Sequence, residues 1–311
     1  MALKLLLDCD PGLDDALALL LAHGDPNLEL VAVTTVGGNV SLENTTRNAL
    51  QLREYLGFDE VPVAAGAAEP LKRSVVNAAD VHGAEGLGNV TLPAARLAAS
   101  DSHAVDLIIE TLGQNPGTVH LVATGPLTNI ALALQREPRI VEWAASFIIM
   151  GGSYTRGNTT PAAEFNIYAD PDAAAIVFAA GWRVVMVGLD LTLQALVDDG
   201  IAGRMRELGR LGIELVAPLA TFWTNPLDDE WDGQALHDVC AVAYLARPEL
   251  FTSRPARVEI ETKGEFTNGM TVVDFHSAQP NALVPTRLDV PGFWDYVHEA
   301  WGNVTPTSRD D

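Results

Sequence analysis

The sequence predicts an α/β protein with an open, mostly parallel sheet flanked by helices, inserted loops and a small late antiparallel pair. Three observations carry this prediction. Short apolar runs of strand length alternate with helix-forming segments along most of the chain, as parallel βαβ units require. Glycine and polar residues gather where the predicted strands end, at the edge where open α/β sheets bind ligands. No stretch is rich enough in Pro, Ser or charge to serve as a linker, so residues 1–311 read as one domain, with 303–311 as a frayed tail.

The elements follow in order. "LKLLLD" is a short apolar run suited to a strand buried on both faces. "PG" turns the chain, and "LDDALALLLAHG" runs as a helix to a stop at Gly24. "LELVAVTTVGGN" is the next strand and its Gly-rich turn. In "SLENTTRNALQLREYLG", Ser41 can cap an amphipathic helix that ends at Gly57. "VPVAAG" is a short strand. Between Glu69 and Ser102 periodicity fades among Gly83, Gly86 and Gly88, which suggests a long functional loop. The rhythm returns with helix "HAVDLIIETLG", strand "TVHLVATG", helix "PLTNIALALQR" and strand "SFIIMGG". Helix "DPDAAAIVFAAG", capped by Asp170, strand "WRVVMVGLD" and helix "HDVCAVAYLARP" come next. "ARVEIET" and "GMTVVDFH" form the antiparallel pair, and "GFWDYVHEAWG" is the terminal helix. The layout is Rossmann-like.

Composition excludes several functions. Nineteen Lys and Arg against 41 Asp and Glu leave a formal charge of −22. Such a surface opposes nucleic-acid backbones, which need clustered cations, and anionic membranes. Small neutral or cationic molecules and divalent metals are better partners. Cys9 and Cys240 are far apart and sit in apolar runs, so they read as buried thiols in a reducing compartment. The chain shows no signal-peptide pattern and no apolar run of the roughly 18 residues a bilayer span needs. A soluble, cytoplasmic protein is expected.

The densest chemistry lies in "LDCDPGLDDALALLLA", which packs Asp8, Asp10, Asp14 and Asp15 between two apolar runs. Asp8 and Asp10 alternate along a strand and can face one side. Asp14 and Asp15 fall at a helix start, where the dipole favours anions, and diverge by about 100° around the axis. Acids crowded beside a core repel one another. A divalent cation would relieve them, and hard oxygen donors suit Ca²⁺ or Mg²⁺ better than Zn²⁺. The plain alternative is that Asp14 caps its helix and the other acids are solvated.

Two resemblances bear on the cluster. "DCD" after an apolar strand resembles the start of haloacid-dehalogenase-type phosphatases, with Asp8 as nucleophile and Mg²⁺ bound. That signal is short and leaves Asp14 and Asp15 unused. "DCDPGLDDALALLLAHG", "TTVGGN", "VHGAEGLGN", "VATGPLTNIA", "IIMGGSYTRGNTTPAAEFNIYADPDAA" and "HDVCAVAY" resemble, in order and spacing, the signature blocks of nucleoside hydrolases of the inosine–uridine-preferring type. The likeness runs from Leu5 to about Phe275.

The second resemblance implies a Ca²⁺-dependent hydrolase that splits ribonucleosides into ribose and free base. It implies Ca²⁺ ligation by Asp10, Asp15, the Thr124 carbonyl and Asp238, completed by a water and the ribose 2′- and 3′-hydroxyls. Asp10 would be the general base toward the Ca²⁺-bound water, and Asp14 would contact the 2′-hydroxyl. Asn39, Asn158, Glu164 and Asn166 match ribose-binding positions, with Asn158 and Glu164 at the 5′-hydroxyl and Asn166 on the 3′ side. Met150 would line the sugar pocket. His237 matches the histidine that protonates the leaving base, and His82 would approach that base from its loop. Trp223 and Trp231 would either stack on the base or pack in the core. A homo-oligomer (dimer or tetramer) and a role in nucleoside salvage are also implied, although composition equally allows a compact acidic monomer. A non-catalytic nucleoside- or ribose-binding protein would keep the same pocket; the intact Asp10 and His237 argue against it.

Overall fold

The computed structural model describes residues 2–222 and 234–307. Among these residues eleven strands form: β1 (Leu3–Cys9), β2 (Leu28–Thr35), β3 (Val63–Ala65), β4 (Val119–Ala123), β5 (Ala144–Met150), β6 (Val184–Val187), β7 (Leu196–Val197), β8 (Gln234–Ala235), β9 (Phe251–Ile260), β10 (Thr271–Asp274) and β11 (Ala282–Leu288). Nine of them make one sheet in the order β10-β9-β11-β6-β5-β4-β1-β2-β3. From β3 to β11 every neighbouring pair is parallel. β9 then runs antiparallel to both β11 and β10. β7 and β8 form a separate antiparallel pair.

The strands alternate sides as a doubly covered sheet demands. On β1, Leu5 and Leu7 pack into one core layer and Leu6 into the other. The first layer takes the helices Leu13–Gly24, Leu42–Leu56, His237–Ala246 and Val290–Gly302, through Leu17, Leu52, Val242 and Trp301. The second takes the helices Ala104–Gln114, Thr128–Arg136 and Pro171–Ala179, through Ile108, Ile130 and Val177. Local signals hold where the sequence placed them. Ser41 Oγ accepts the Asn44 N–H at 3.3 Å, and Gly57 ends that helix at φ 85°, a left-handed conformation suited to glycine. Asp170 Oδ1 accepts the Ala173 N–H at 3.0 Å. Between Glu69 and Ser102 only the short helix Ala79–His82 forms.

The late antiparallel pair forms as β9 and β10, and β11, absent from the sequence reading, joins it to the sheet. Pro285 hid that strand: a proline weakens a strand prediction, and here it stands at a register shift opposite Ser253. The expected frayed tail is docked over its described part. Asn303 Nδ2 donates to the Gly24 carbonyl at 3.0 Å, and the Thr307 N–H donates to the Tyr55 carbonyl at 2.9 Å. Among the described residues, no helix is long and apolar enough to cross a membrane.

Strand order places the site. β1 has β2 on one side and β4 on the other, so the chain winds outward in both directions from there. A crevice opens at such a switch point, beyond the carboxyl ends of the two central strands. Asp10 follows β1 and Thr124 follows β4.

Candidate active site

A cavity of about 300 Å³ opens at that switch point. Its lining includes ten of the residues singled out in the sequence: Asp14, Asn39, His82, Thr124, Met150, Asn158, Glu164, Asn166, His237 and Asp238. Asp10 and Asp15 lie just beneath it, fully buried, and are tied to the lining by hydrogen bonds. Trp223 and Trp231 lie outside the described residues.

The floor is acidic. Carboxylate oxygens of Asp14, Asp15 and Asp238 lie within 4.8 Å of one another, and all three residues are buried. Asp15 is the most heavily bonded of them. Its Oδ2 accepts the Gly12 N–H at 3.1 Å and Asn39 Nδ2 at 3.0 Å. Its Oδ1 accepts the Asp10 N–H at 3.3 Å and the Thr124 hydroxyl at 2.8 Å. Asp10 Oδ2 accepts the Asn39 N–H at 2.7 Å, while its Oδ1 is buried without a hydrogen-bond partner. The backbone closes tightly on Asp10. A Cβ on Gly38 would stand 2.1 Å from Oδ2, and one on Gly125 would stand 2.6 Å from Oδ1.

Burial pushes the carboxyls of Asp10, Asp15 and Asp238 above the usual range, and the charges of their acidic neighbours push them further. Among the described residues no lysine or arginine forms an ion pair with them. Four buried carboxyl groups, one of them with an unpartnered buried oxygen, make a donor set fit for a hard divalent cation. The sequence placed Asp10 among the ligands. The structure brings Asp14, Asp15 and Asp238 together and sets Asp10 one hydrogen bond away from Asp15.

The sugar-side residues have defined partners. Asn166 Nδ2 donates to the Thr124 carbonyl at 2.7 Å and to the Met150 carbonyl at 3.1 Å, linking the ends of β4 and β5. A carbonyl has a second lone pair, so Thr124 keeps an acceptor for another group. Glu164 caps the helix Phe165–Ala169: Oε1 accepts the Asn166 N–H at 2.9 Å and Oε2 the Ile167 N–H at 3.1 Å. Its Oε2 also accepts the Gly152 N–H at 2.9 Å. Burial nevertheless lifts the Glu164 carboxyl to about 7. Asn158 Oδ1 accepts the Phe165 N–H at 2.9 Å.

Two histidines stand at the cavity wall. His82 Nδ1 accepts the Leu13 N–H at 3.1 Å, and burial lowers the pKa of its ring. His237 opens the helix His237–Ala246, and its backbone N–H donates to Asp14 Oδ2 at 3.2 Å. His237 Nδ1 lies 2.7 Å from Thr192 Oγ1. Thr192 and Gln234 are contributors that sequence reading missed; Gln234 lines the cavity, as does Phe222. Thr192 follows the end of β6, so the strand-end rule could have found it.

Asp8 has a different setting. Its Oδ1 accepts Thr34 Oγ1 at 2.6 Å and Asn129 Nδ2 at 2.8 Å, and neither partner lines the cavity. It is thus turned toward the sheet interior, which removes the geometric basis for a nucleophile at Asp8.

A doubly wound sheet with a cavity floored by buried carboxylates, at its topological switch point, defines an α/β enzyme of the small-molecule-binding kind. The chain belongs to the family of inosine-uridine preferring nucleoside hydrolases, whose family model matches residues 5–295. It is 46% identical over 306 residues to the inosine-uridine preferring nucleoside hydrolase of Leishmania major, covering 96% of this chain and 98% of that one. It is 44% identical over 305 residues to the pyrimidine-specific ribonucleoside hydrolase RihA of Citrobacter koseri, with the same coverage. Among solved structures, a purine-preferring ribonucleoside hydrolase from Gardnerella vaginalis superposes with a TM-score of 0.90 at 35% identity, covering 96% of this chain and 98% of that one. The chain is accordingly a hydrolase of the class that acts on ribonucleosides.

Proposed function

We propose that this protein hydrolyses the N-glycosidic bond of ribonucleosides, giving ribose and free base, with Ca²⁺ held by Asp10, Asp15, Asp238 and the Thr124 carbonyl. The observation that carries the proposal is the meeting of Asp14 and Asp15 with Asp238 on the floor of a cavity that His237 also lines. When bound, the cation supplies a grip on a sugar diol and acidifies water.

The chain's own residues do the rest. The partnerless Asp10 Oδ1 accepts a proton from the attacking water. As the C1′–N bond breaks, its electron pair moves onto the base, and the sugar gains positive charge. Asp14 sits where it stabilises that charge and holds the 2′-hydroxyl. Asn39, Asn158, Glu164 and Asn166 hold the remaining ribose hydroxyls, and Met150 closes the pocket beside them. His237 protonates the departing base, with His82 beside it.

Residues 1–311 act as one domain, and the subunit assembles as a dimer or tetramer. The acidic surface and the two buried free thiols suit a cytoplasmic enzyme of nucleoside salvage. The decisive experiment incubates the protein with purine and pyrimidine ribonucleosides, with and without a chelator, and measures free base. Base release that stops on chelation and returns with Ca²⁺ supports the proposal. Tight nucleoside binding with no product would favour a binding protein instead.

A further inference from the structure

We propose that Thr192 is a positioning residue for His237: its hydroxyl pins Nδ1 of the ring so that Nε2 is the nitrogen facing the nucleobase. The inference rests on the assignment of His237 to the leaving base and extends it to a residue behind the cavity.

The geometry is specific. Thr192 ends the short helix Leu189–Thr192 and has no exposed surface. It does not line the cavity, whereas His237 does. Its Oγ1 is 2.7 Å from His237 Nδ1, well within hydrogen-bond range. Among the described residues the one other partner of that hydroxyl, the Leu189 carbonyl, is 3.5 Å away. The Thr192 N–H is already used on the Gly188 carbonyl at 3.1 Å, so the backbone of this turn fixes where the hydroxyl sits. Nδ1 is therefore bonded to a residue outside the cavity lining, and in this proposal Nε2 is the nitrogen that serves the base.

A hydroxyl suits this post because it both donates and accepts. When the protonated ring gives its Nε2 proton to the base nitrogen, the C1′–N electron pair has moved onto the base. The ring is left neutral with its remaining proton on Nδ1, which the Thr192 oxygen accepts. The hydroxyl then donates toward Leu189. When the neutral ring instead carries its proton on Nε2, the hydroxyl turns and donates to Nδ1. Valine matches threonine in shape and can do neither.

The test compares T192V, T192A and T192S with H237A on a natural ribonucleoside and on 4-nitrophenyl riboside, whose leaving group departs without a proton. We expect T192V to lower kcat on the nucleoside by roughly 10–100-fold, with KM changed by less than about 3-fold and the nitrophenyl substrate hydrolysed at near the wild-type rate. T192A guards against a valine that does not fold, and a thermal midpoint reports the fold of each variant. T192S should restore the nucleoside rate. Equal losses on both substrates would show a merely structural role and overturn the inference. Wild-type nucleoside rates in T192V and T192A beside an impaired H237A would overturn it while leaving the role of His237 standing. An H237A protein with unimpaired nucleoside turnover would remove that role, and this inference with it.

Discussion

Asp14 Oδ2 accepts the backbone N–H of His237 at 3.2 Å, joining residues 223 positions apart in the chain. The same oxygen accepts the Asp238 N–H at 3.4 Å. Asp14 lies in the first turn of one helix, Leu13–Gly24, and caps the first turn of another, His237–Ala246. Both helix N-termini point their partial positive charge at one spot, which partly offsets the acids gathered there. This junction also sets His237 beside the carboxylate floor.

Replacing Asp10 by Ala should lower kcat by about 10³-fold or more while the thermal midpoint stays near wild type or rises. Removal of a buried carboxyl with one unpartnered oxygen takes away a desolvation cost. The check is steady-state kinetics with calorimetry on the same sample. Turnover within about 10-fold of wild type would exclude Asp10 as the base.

Asp238→Asn separates the cation from the fold. In chelator at pH 8, wild type carries crowded buried carboxyls, so the variant should unfold at an equal or higher temperature. Added Ca²⁺ should raise the wild-type midpoint by several degrees, in line with ligand-linked stabilisation, and raise the variant's much less. A calcium-induced shift of equal size in both proteins would remove Asp238 from the ligand set.

The pH dependence of stability should carry the mark of Glu164. Its carboxyl titrates near 4.5 in the unfolded chain and is lifted to about 7 by burial in the fold. Between those values the native state binds the extra proton, so stability falls as pH rises from about 4.5 to 7 and is flat above. The shift corresponds to at most ~3 kcal/mol. Glu164→Gln loses cap bonds and is less stable throughout, yet its slope over that window should be shallower than the wild-type slope by that amount. Denaturant titrations at pH 5 and pH 7.5 give both slopes; parallel curves would refute the assignment.

Much of this molecule was legible from residues alone, and the exceptions have physical causes. The strand ends at Asp10, Asn39, Thr124 and Met150 were readable because buried parallel strands are plain apolar runs that stop abruptly at polar or glycine residues. β11 was not, since Pro285 breaks the strand signal and its pairing partners lie far away in sequence. The docking of Thr307 on Tyr55 leaves no local trace, because a tail's fate depends on the surface it meets. Within the site, Asp15 was placed at the floor, but its link to Asn39 and Thr124 depends on how three strand ends converge. Thr192 lies just past the end of β6, where the strand-end rule points, but its pairing with a histidine 45 residues on depends on the same convergence.

Gly125 offers the sharpest test of how tightly Asp10 is held. Its φ lies outside the left-handed region, so alanine is permitted by the backbone. Space forbids it, because a Cβ would stand 2.6 Å from Asp10 Oδ1 and 2.9 Å from Val36 Cγ1. Both neighbours are buried, and Asp10 is the one with a partnerless oxygen free to move. Gly125→Ala should therefore displace that carboxylate and lower kcat about 10²-fold, the scale expected for an ångström-sized misplacement of a reacting group. Gly203→Ala is the control: its Cβ meets nothing within 4 Å in the helix Asp199–Arg206, and it should leave turnover unchanged and stabilise by up to ~1 kcal/mol. The double mutant Asp10→Ala with Gly125→Ala decides the mechanism. If the added methyl acts through Asp10, it costs nothing further once that carboxyl is gone, so the two losses are strongly non-additive. Additive losses would mean that Gly125→Ala disturbs the site by another route, through Val36 and the end of β2.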